Sequence, residues 1–126
     1  MSSRFVRPHG LVVVRCRLVG DVDEQRCRLA LDTGAVHTLI RPGLLALVGH
    51  ATVVDQIPLS TVGNAVMADR VLVRELWALG KVQRDVLVVS RDLPRELRID
   101  GLLGLDFLRN SRLTIDFRRG EVELEA

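Results

Sequence analysis

Alternating apolar and polar residues in the first third of the chain predict a β-hairpin. The stretch LVVVRCRL, residues 11 to 18, puts Arg15 and Arg17 on one face and apolar residues on the other. A polar turn, VGDVDEQ, follows. RCRLALD then alternates again with Cys27, Leu29 and Leu31 directed inward. Two alternating runs joined by a polar turn are typical of paired antiparallel strands.

The second strand of this hairpin ends in an acid. Because side chains alternate along a strand, Asp32 lies on the face opposite Leu31, together with Ala30, Arg28 and Arg26. The acid therefore leaves the core face where the strand stops. Gly34 is expected to let the chain bend there by adopting a conformation closed to other residues. VHTLI, residues 36 to 40, then predicts a return to extended structure.

The remaining pattern predicts more strands and little helix. RPGLLALVGH favours a short helical turn, and residues 51 to 93 favour several strands with turns at Gly63-Asn64 and Gly80-Lys81. LPRELRIDG is expected to be a loop. A short helix should begin near Gly104 and end around Asn110-Ser111, before two closing strands in LTIDFRRGEVELEA. We therefore predict an N-terminal arm (1–10) and one mostly β domain (11–126) with one short C-terminal helix.

Composition narrows the function classes. At 126 residues and 14.0 kDa the chain suits one domain, so a site that needs two lobes must obtain its second lobe elsewhere. A net charge of +2 is too mild to indicate a nucleic-acid or anionic-membrane protein. The N-terminal apolar run is interrupted by arginines before it reaches the length of a signal peptide. We predict a soluble, cytoplasmic protein that binds neither nucleic acid nor membrane.

The cysteines and histidines predict no metal chemistry. Cys16 and Cys27 lie on consecutive predicted strands and could face each other, most simply as small buried apolar side chains. With His9, His37 and His50 they form no metal-site spacing. No cofactor is predicted.

Two motifs in order resemble the retroviral-type (retropepsin-like) aspartic proteases and their bacterial relatives. They are ALDTGA, Ala30 to Ala35, and an apolar-apolar-Gly before a short helix, here Leu102, Leu103 and Gly104. Neither is specific alone, since Asp, Thr and Gly also favour ordinary turns. The resemblance extends from about Leu11 to about Leu124. It implies a closed, barrel-like β lobe, one per chain, and a homodimer in which two copies of Asp32 form the catalytic dyad.

The resemblance also implies roles for neighbouring residues. Thr33 would lock the two active-site loops together across the dimer, and Gly34 would let backbone groups approach the carboxylates. Ala35 would lie against the bound peptide, and Ala30 could line a side-chain pocket. The hairpin tip at Gly63 and Asn64 would be a flap that closes over an extended substrate, although any surface hairpin would give the same pattern.

The chain departs from the viral pattern at two paired positions. Retroviral members usually carry an acid after Asp-Thr-Gly-Ala and an arginine after the later Gly, whereas here Val36 and Leu105 occupy these places. Because an apolar pair can replace an ion pair at no cost, we expect Val36 and Leu105 to be in contact. His37 is expected to be an ordinary loop residue, with a pH-sensitive substrate contact as the alternative. The extra EVELEA tail suggests a dimer that is built differently or is weaker.

Three functions remain open from the sequence. The leading one is an aspartic endopeptidase acting on a few cellular proteins or on itself. The second is a catalytically silent retropepsin-like module for peptide binding or dimerisation, which the changes at Val36 and Leu105 leave possible. The third is a phosphate-binding hairpin face, which acids in the connecting turn and a lack of aromatics disfavour. The arginines of that face are Arg15, Arg17, Arg26 and Arg28.

Overall fold

Ten strands and two short helices make up the computed structural model, which describes residues 2–50, 53–61 and 63–126. The strands are β1 (Ser2–Arg4), β2 (Val13–Val19), β3 (Glu24–Leu31), β4 (Leu39–Ile40), β5 (Val53–Thr61), β6 (Asn64–Ala78), β7 (Lys81–Ser90), β8 (Gly101–Leu103), β9 (Arg112–Asp116) and β10 (Glu121–Glu125). The helices are α1 (Pro42–Val48) and α2 (Leu105–Leu108), with 3-10 turns at Pro8–Gly10 and Arg95–Leu97. This confirms the predicted mostly β fold.

Six strands close into a barrel in the order β2-β3-β8-β4-β7-β6, because β6 pairs back onto β2. Strand β5 extends this sheet beyond β6 as the other half of a long hairpin. Aliphatic side chains fill the barrel, and Leu18, Leu29 and Leu103 are fully buried there. Closure leaves few free strand edges and gives the short β8 a neighbour on each side.

The predicted β2–β3 hairpin is present, and buried residues alternate with exposed arginines from Val14 to Leu18 and from Arg26 to Leu29, whereas Ala30, predicted on the same face as Arg28, is also buried. Cys16 lies directly opposite Cys27, and both are buried and reduced. The hydrogen bond with Cys27, together with burial, raises the pKa of the Cys16 thiol. A thiol held protonated is a poor nucleophile, so Cys16 behaves as an apolar core residue.

The chain termini meet in a second, three-stranded sheet with the order β1-β10-β9. Within the segment predicted as an N-terminal arm, Ser2–Arg4 pairs with the strand near the C-terminus, and Ser2 lies opposite Glu123. The sequence signal for β1 was weak because three residues cannot show a period. The tail EVELEA supplies the central strand of this sheet.

The helices differ in length from the prediction. Helix α1, expected as a single turn, has seven residues, and its Leu44, Leu45 and Val48 are buried. Helix α2 ends at Leu108, before the predicted Asn110, because Arg109 is extended and Asn110 has a left-handed backbone. In the described ranges no helix is long and apolar enough to cross a membrane.

Candidate active site

The parallel pairing of β3 with β8 brings the two motifs together. Leu31 lies beside Leu103 in the register, and the Asp32 amide donates to the Leu103 carbonyl at 3.0 Å. The first motif leaves the sheet as a loop after β3, and the second leaves as α2 after β8. The two segments predicted to belong to one site are therefore adjacent, although the paired Leu31 and Leu103 are 72 positions apart in the sequence.

Asp32 is half-buried at the start of a tight turn. Its Oδ1 accepts a hydrogen bond from the Gly34 amide at 2.9 Å, and its carbonyl accepts one from the Ala35 amide at 3.2 Å. Gly34 does not have the left-handed backbone expected from the sequence. A Cβ at Gly34 would instead lie 3.2 Å from Asp32 Oδ1. The glycine therefore leaves room beside the carboxylate. The Gly34 amide orients Oδ1, and Oδ2 stays available.

Close backbone contacts explain the two glycines around β8. A Cβ at Gly104 would lie 2.7 Å from the His37 carbonyl carbon and oxygen, and one at Gly101 would lie 1.8 Å from the Leu39 carbonyl oxygen. Neither glycine has a left-handed backbone, so steric space and not conformation requires them. The site is built where three segments of backbone touch.

A carboxylate that the sequence analysis did not select joins the two motifs. Asp106 in α2 accepts hydrogen bonds from the Thr38 hydroxyl at 2.7 Å and the Thr38 amide at 2.9 Å. The Thr38 hydroxyl also accepts one from the Gly104 amide at 3.1 Å. Thr38 is fully buried. A lone hydroxyl in the apolar return segment VHTLI was the available signal.

A second carboxylate holds the opposite end of β8. Asp100 accepts from the Arg28 amide on β3 and from Nε of Arg41, both at 2.8 Å. Its own amide donates to the Arg28 carbonyl at 2.7 Å. Asp100 and Asp106 therefore fix β8 at both ends, and with it the backbone that receives the Asp32 amide.

The positions that depart from the viral pattern lie on neighbouring segments. The Leu105 amide donates to the Ala35 carbonyl at 2.8 Å, and the Asp106 amide donates to the Val36 carbonyl at 3.1 Å. The side chains of Val36 and Leu105 are 54% and 36% exposed. The predicted contact between the Val36 and Leu105 side chains stays a prediction, while the two backbone hydrogen bonds join the segments that carry them.

The other predicted site residues occupy different environments. Thr33 and Gly34 are exposed and Ala35 is half-buried, whereas Ala30 is buried against Val13 and Ile99. The Thr33 hydroxyl has no hydrogen-bond partner within the described part of the chain. Gly63 and Asn64 lie at the exposed tip of the β5–β6 hairpin, where Gly63 has a left-handed backbone.

Two cavities adjoin the Asp32 loop. The first, about 380 Å³, is lined by Thr33, by the apolar residues Leu105, Leu108 and Leu113, and by the polar residues Arg109, Asn110 and Ser111. The second, about 300 Å³, is polar and includes His37 and Arg70. Arg70 also donates a hydrogen bond to Asp55 on β5, and this bond lowers the pKa of Asp55. Across residues 2–50, 53–61 and 63–126 no cluster of three or more potential ligands could hold a metal ion.

Comparison with known proteins agrees with this geometry. A family model described as aspartyl protease matches residues 18–107, which include both motifs. A retropepsin-like aspartic protease from Rickettsia conorii has a similar crystal structure, with a TM-score of 0.65 and 16% identity, covering 100% of this chain and 94% of that chain. No curated protein matches the sequence. The chain therefore belongs to the aspartyl protease family and has a single-lobe, retropepsin-like fold.

Proposed function

We propose that the protein is an aspartic endopeptidase that works as a homodimer. The observation that carries this proposal is the setting of Asp32, which is half-buried in a turn fixed by backbone hydrogen bonds to β8 and to α2. One chain supplies one such acid, and the family chemistry uses two. A two-fold pair of chains would supply the second from the same loop.

The chemistry follows from placing two Asp32 carboxylates close together. Like charges at short distance cannot both ionise readily, so the pair keeps one proton over a wide pH range. The ionised oxygen takes a proton from water while the protonated partner hydrogen-bonds the scissile carbonyl. Water attacks the carbonyl carbon to give a tetrahedral intermediate. The dyad then returns a proton to the amide nitrogen as the C–N bond breaks, so the amine leaves and no acyl-enzyme forms. In this chain the Gly34 amide would hold Oδ1 in place throughout.

The surface around Thr33 supports the dimer. Its hydroxyl lacks a partner inside the described chain, and the adjoining cavity is lined by Leu105, Leu108 and Leu113. A groove with three leucines beside an unpartnered hydroxyl fits a second copy of the same loop, whose Thr33 would exchange hydrogen bonds with this one. Isologous contacts of this kind are the usual basis of two-fold dimers.

The β5–β6 hairpin is proposed as the flap. It extends beyond the barrel, and near its tip Val66 is 36% and Met67 59% exposed. The salt bridge between Asp55 and Arg70 joins the two strands nearer the barrel. A hairpin braced near the barrel and apolar near its tip can cover an extended peptide, which would bind largely through backbone hydrogen bonds.

Cleavage of a diverse peptide mixture from about pH 4 to 7 tests this function, because a shared proton should give activity within that range. We expect Asp32→Asn to abolish cleavage and the exposed loop variant Asp92→Asn to retain it. Equal cleavage by wild type and Asp32→Asn would refute the mechanism. Peptide binding without turnover by folded wild-type dimers would favour the binding-module function, which the apolar residues at Val36 and Leu105 leave open.

A further inference from the structure

An unusually basic surface lies along the outer side of the β2–β3 hairpin and the N-terminal segment beside it, outside the proposed active site. We call it the arginine face, and it consists of six exposed residues: Arg4, Arg7, Arg15, Arg17, Arg26 and Arg28. Two adjoining cavities of about 480 and 380 Å³ lie along it and share Arg15. Among the residues that the structure describes, no acidic one lines either cavity. The whole chain has a net charge of only +2, so positive charge is concentrated here.

Strand register places these charges directly opposite each other. Arg15 lies across from Arg28, and Arg17 across from Arg26. Like charges at opposed positions destabilise an antiparallel pair. Arg17 is partly compensated by Glu24 at 3.4 Å and stacks 4.8 Å from the Trp77 ring.

The other arginines lack such compensation. Within the described residues Arg15, Arg26 and Arg28 form no ion pair through their side chains, and neither does Arg4, which lies opposite the half-buried Glu121. Arg7 donates to the Phe117 carbonyl, a neutral acceptor. Because the opposed arginines repel each other in the folded chain, an anion that binds between them stabilises the fold.

The geometry points to an acidic polypeptide segment as that anion. Successive arginine pairs are two residues apart, roughly 6.7 Å along the strands, which equals the spacing of alternate side chains in an extended peptide. Guanidinium groups bind carboxylates through two parallel hydrogen bonds. We propose that the arginine face is an exosite for acidic, extended stretches of protein substrates. Its role in cleavage rests on the proposed protease function, but its binding of acidic peptide does not.

Single-stranded nucleic acid fits this surface less well. Base stacking needs open aromatic rings, and Trp77 is the one aromatic residue among the described residues that line the two cavities. Its ring is already covered by the Arg17 guanidinium, and its Nε1 donates to Glu75. The cavity around Arg4 and Arg7 is instead floored by Val6, Pro8 and Val13, which suit the aliphatic stem of a glutamate side chain.

The position of the face matches a role in substrate delivery. Strand β3 carries Arg28 four residues before Asp32, which directly follows the last residue of the strand. That separation is about 13 Å, which about four residues of extended chain can span. A substrate held by its acidic stretch would therefore present a nearby peptide bond to the active-site loop.

Binding is tested first without cleavage. A fluorescent peptide of alternating Glu and Gly is titrated into Asp32→Asn protein, and anisotropy is followed at several salt concentrations. We expect the added changes Arg15→Gln and Arg28→Gln to weaken binding at least about tenfold, through loss of two charge-assisted contacts. Arg118→Gln with Arg119→Gln, which removes equal charge from the β9–β10 turn, should have little effect. Equal affinity in the two double variants would overturn the proposal.

Two further readouts separate the possible failures. Since the Gln pair removes opposed charges, the double variant should unfold at the same or a higher temperature than its parent. Single-stranded DNA that binds more tightly than the peptide and displaces it would reassign the face to nucleic acid. With cleavage-competent protein, the Gln pair should raise KM for a substrate carrying an acidic stretch and leave kcat unchanged. Loss of cleavage in every variant would instead count against the protease function, with the peptide-binding result still standing.

Discussion

At the residue scale, Asp106 is the side chain whose removal should cost most without touching substrate. It accepts from the Thr38 hydroxyl, the Thr38 amide and the Phe107 amide. We expect Asp106→Ala to lower the free energy of unfolding by about 3 kcal/mol, since buried donors lose a charged acceptor. Asp116→Ala, which removes an exposed acceptor of the Arg119 amide, should cost less than about 1 kcal/mol. Urea denaturation measures both losses of unfolding free energy, and similar values would contradict a stabilising role for the hydrogen bonds that Asp106 accepts.

The positions of individual residues were predictable where adjacent residues in the sequence determine them. The position of Asp32 at the end of its strand followed from alternation alone. Asp100 and Asp106 were not predictable in the same way, because their partners lie 59 to 72 residues away and no local period marks such pairings. Gly34 was assigned for backbone freedom, whereas the structure shows that it makes space beside Asp32 Oδ1.

At the scale of elements, β8 is the strand that tolerates least change. A methyl group at Gly101 would meet the Leu39 carbonyl oxygen of β4, so Gly101→Ala must separate two paired strands. We expect a loss of more than about 3 kcal/mol of unfolding free energy. Gly80→Ala is the matched control. Gly80 has a left-handed backbone that a side chain strains, but a Cβ there would meet no neighbouring atom, so we expect a loss of only about 1–2 kcal/mol of unfolding free energy. Thermal unfolding of the two variants distinguishes them, and an equally mild Gly101→Ala would refute the close approach.

At the scale of the whole molecule, the strand and turn pattern predicted most of the barrel. The turns at Gly63-Asn64 and Gly80-Lys81 lie between the long strands as expected, because Gly63 and Gly80 supply left-handed backbone there. The pattern could not show barrel closure, which depends on β6 pairing with β2 across a large sequence separation. It also did not predict the terminal sheet, in which β1 and β9 flank β10 within one chain.

That terminal sheet bears on how two copies would meet, and a mixing experiment tests whether they share one site. If each active site needs two Asp32 residues, heterodimers of wild type and Asp32→Asn are inactive. The wild-type protein is first brought to a concentration at which it is fully dimeric, and an equal amount of Asp32→Asn subunits is then added. This doubles the number of dimers, and random pairing leaves about a quarter of them fully wild type, so activity should fall to about half after exchange. Adding the double variant Thr33→Ala, Asp32→Asn should inhibit less, since loop-to-loop hydrogen bonds would be lost. Activity that is unchanged by Asp32→Asn subunits, and linear in enzyme concentration, would mean that a single chain suffices.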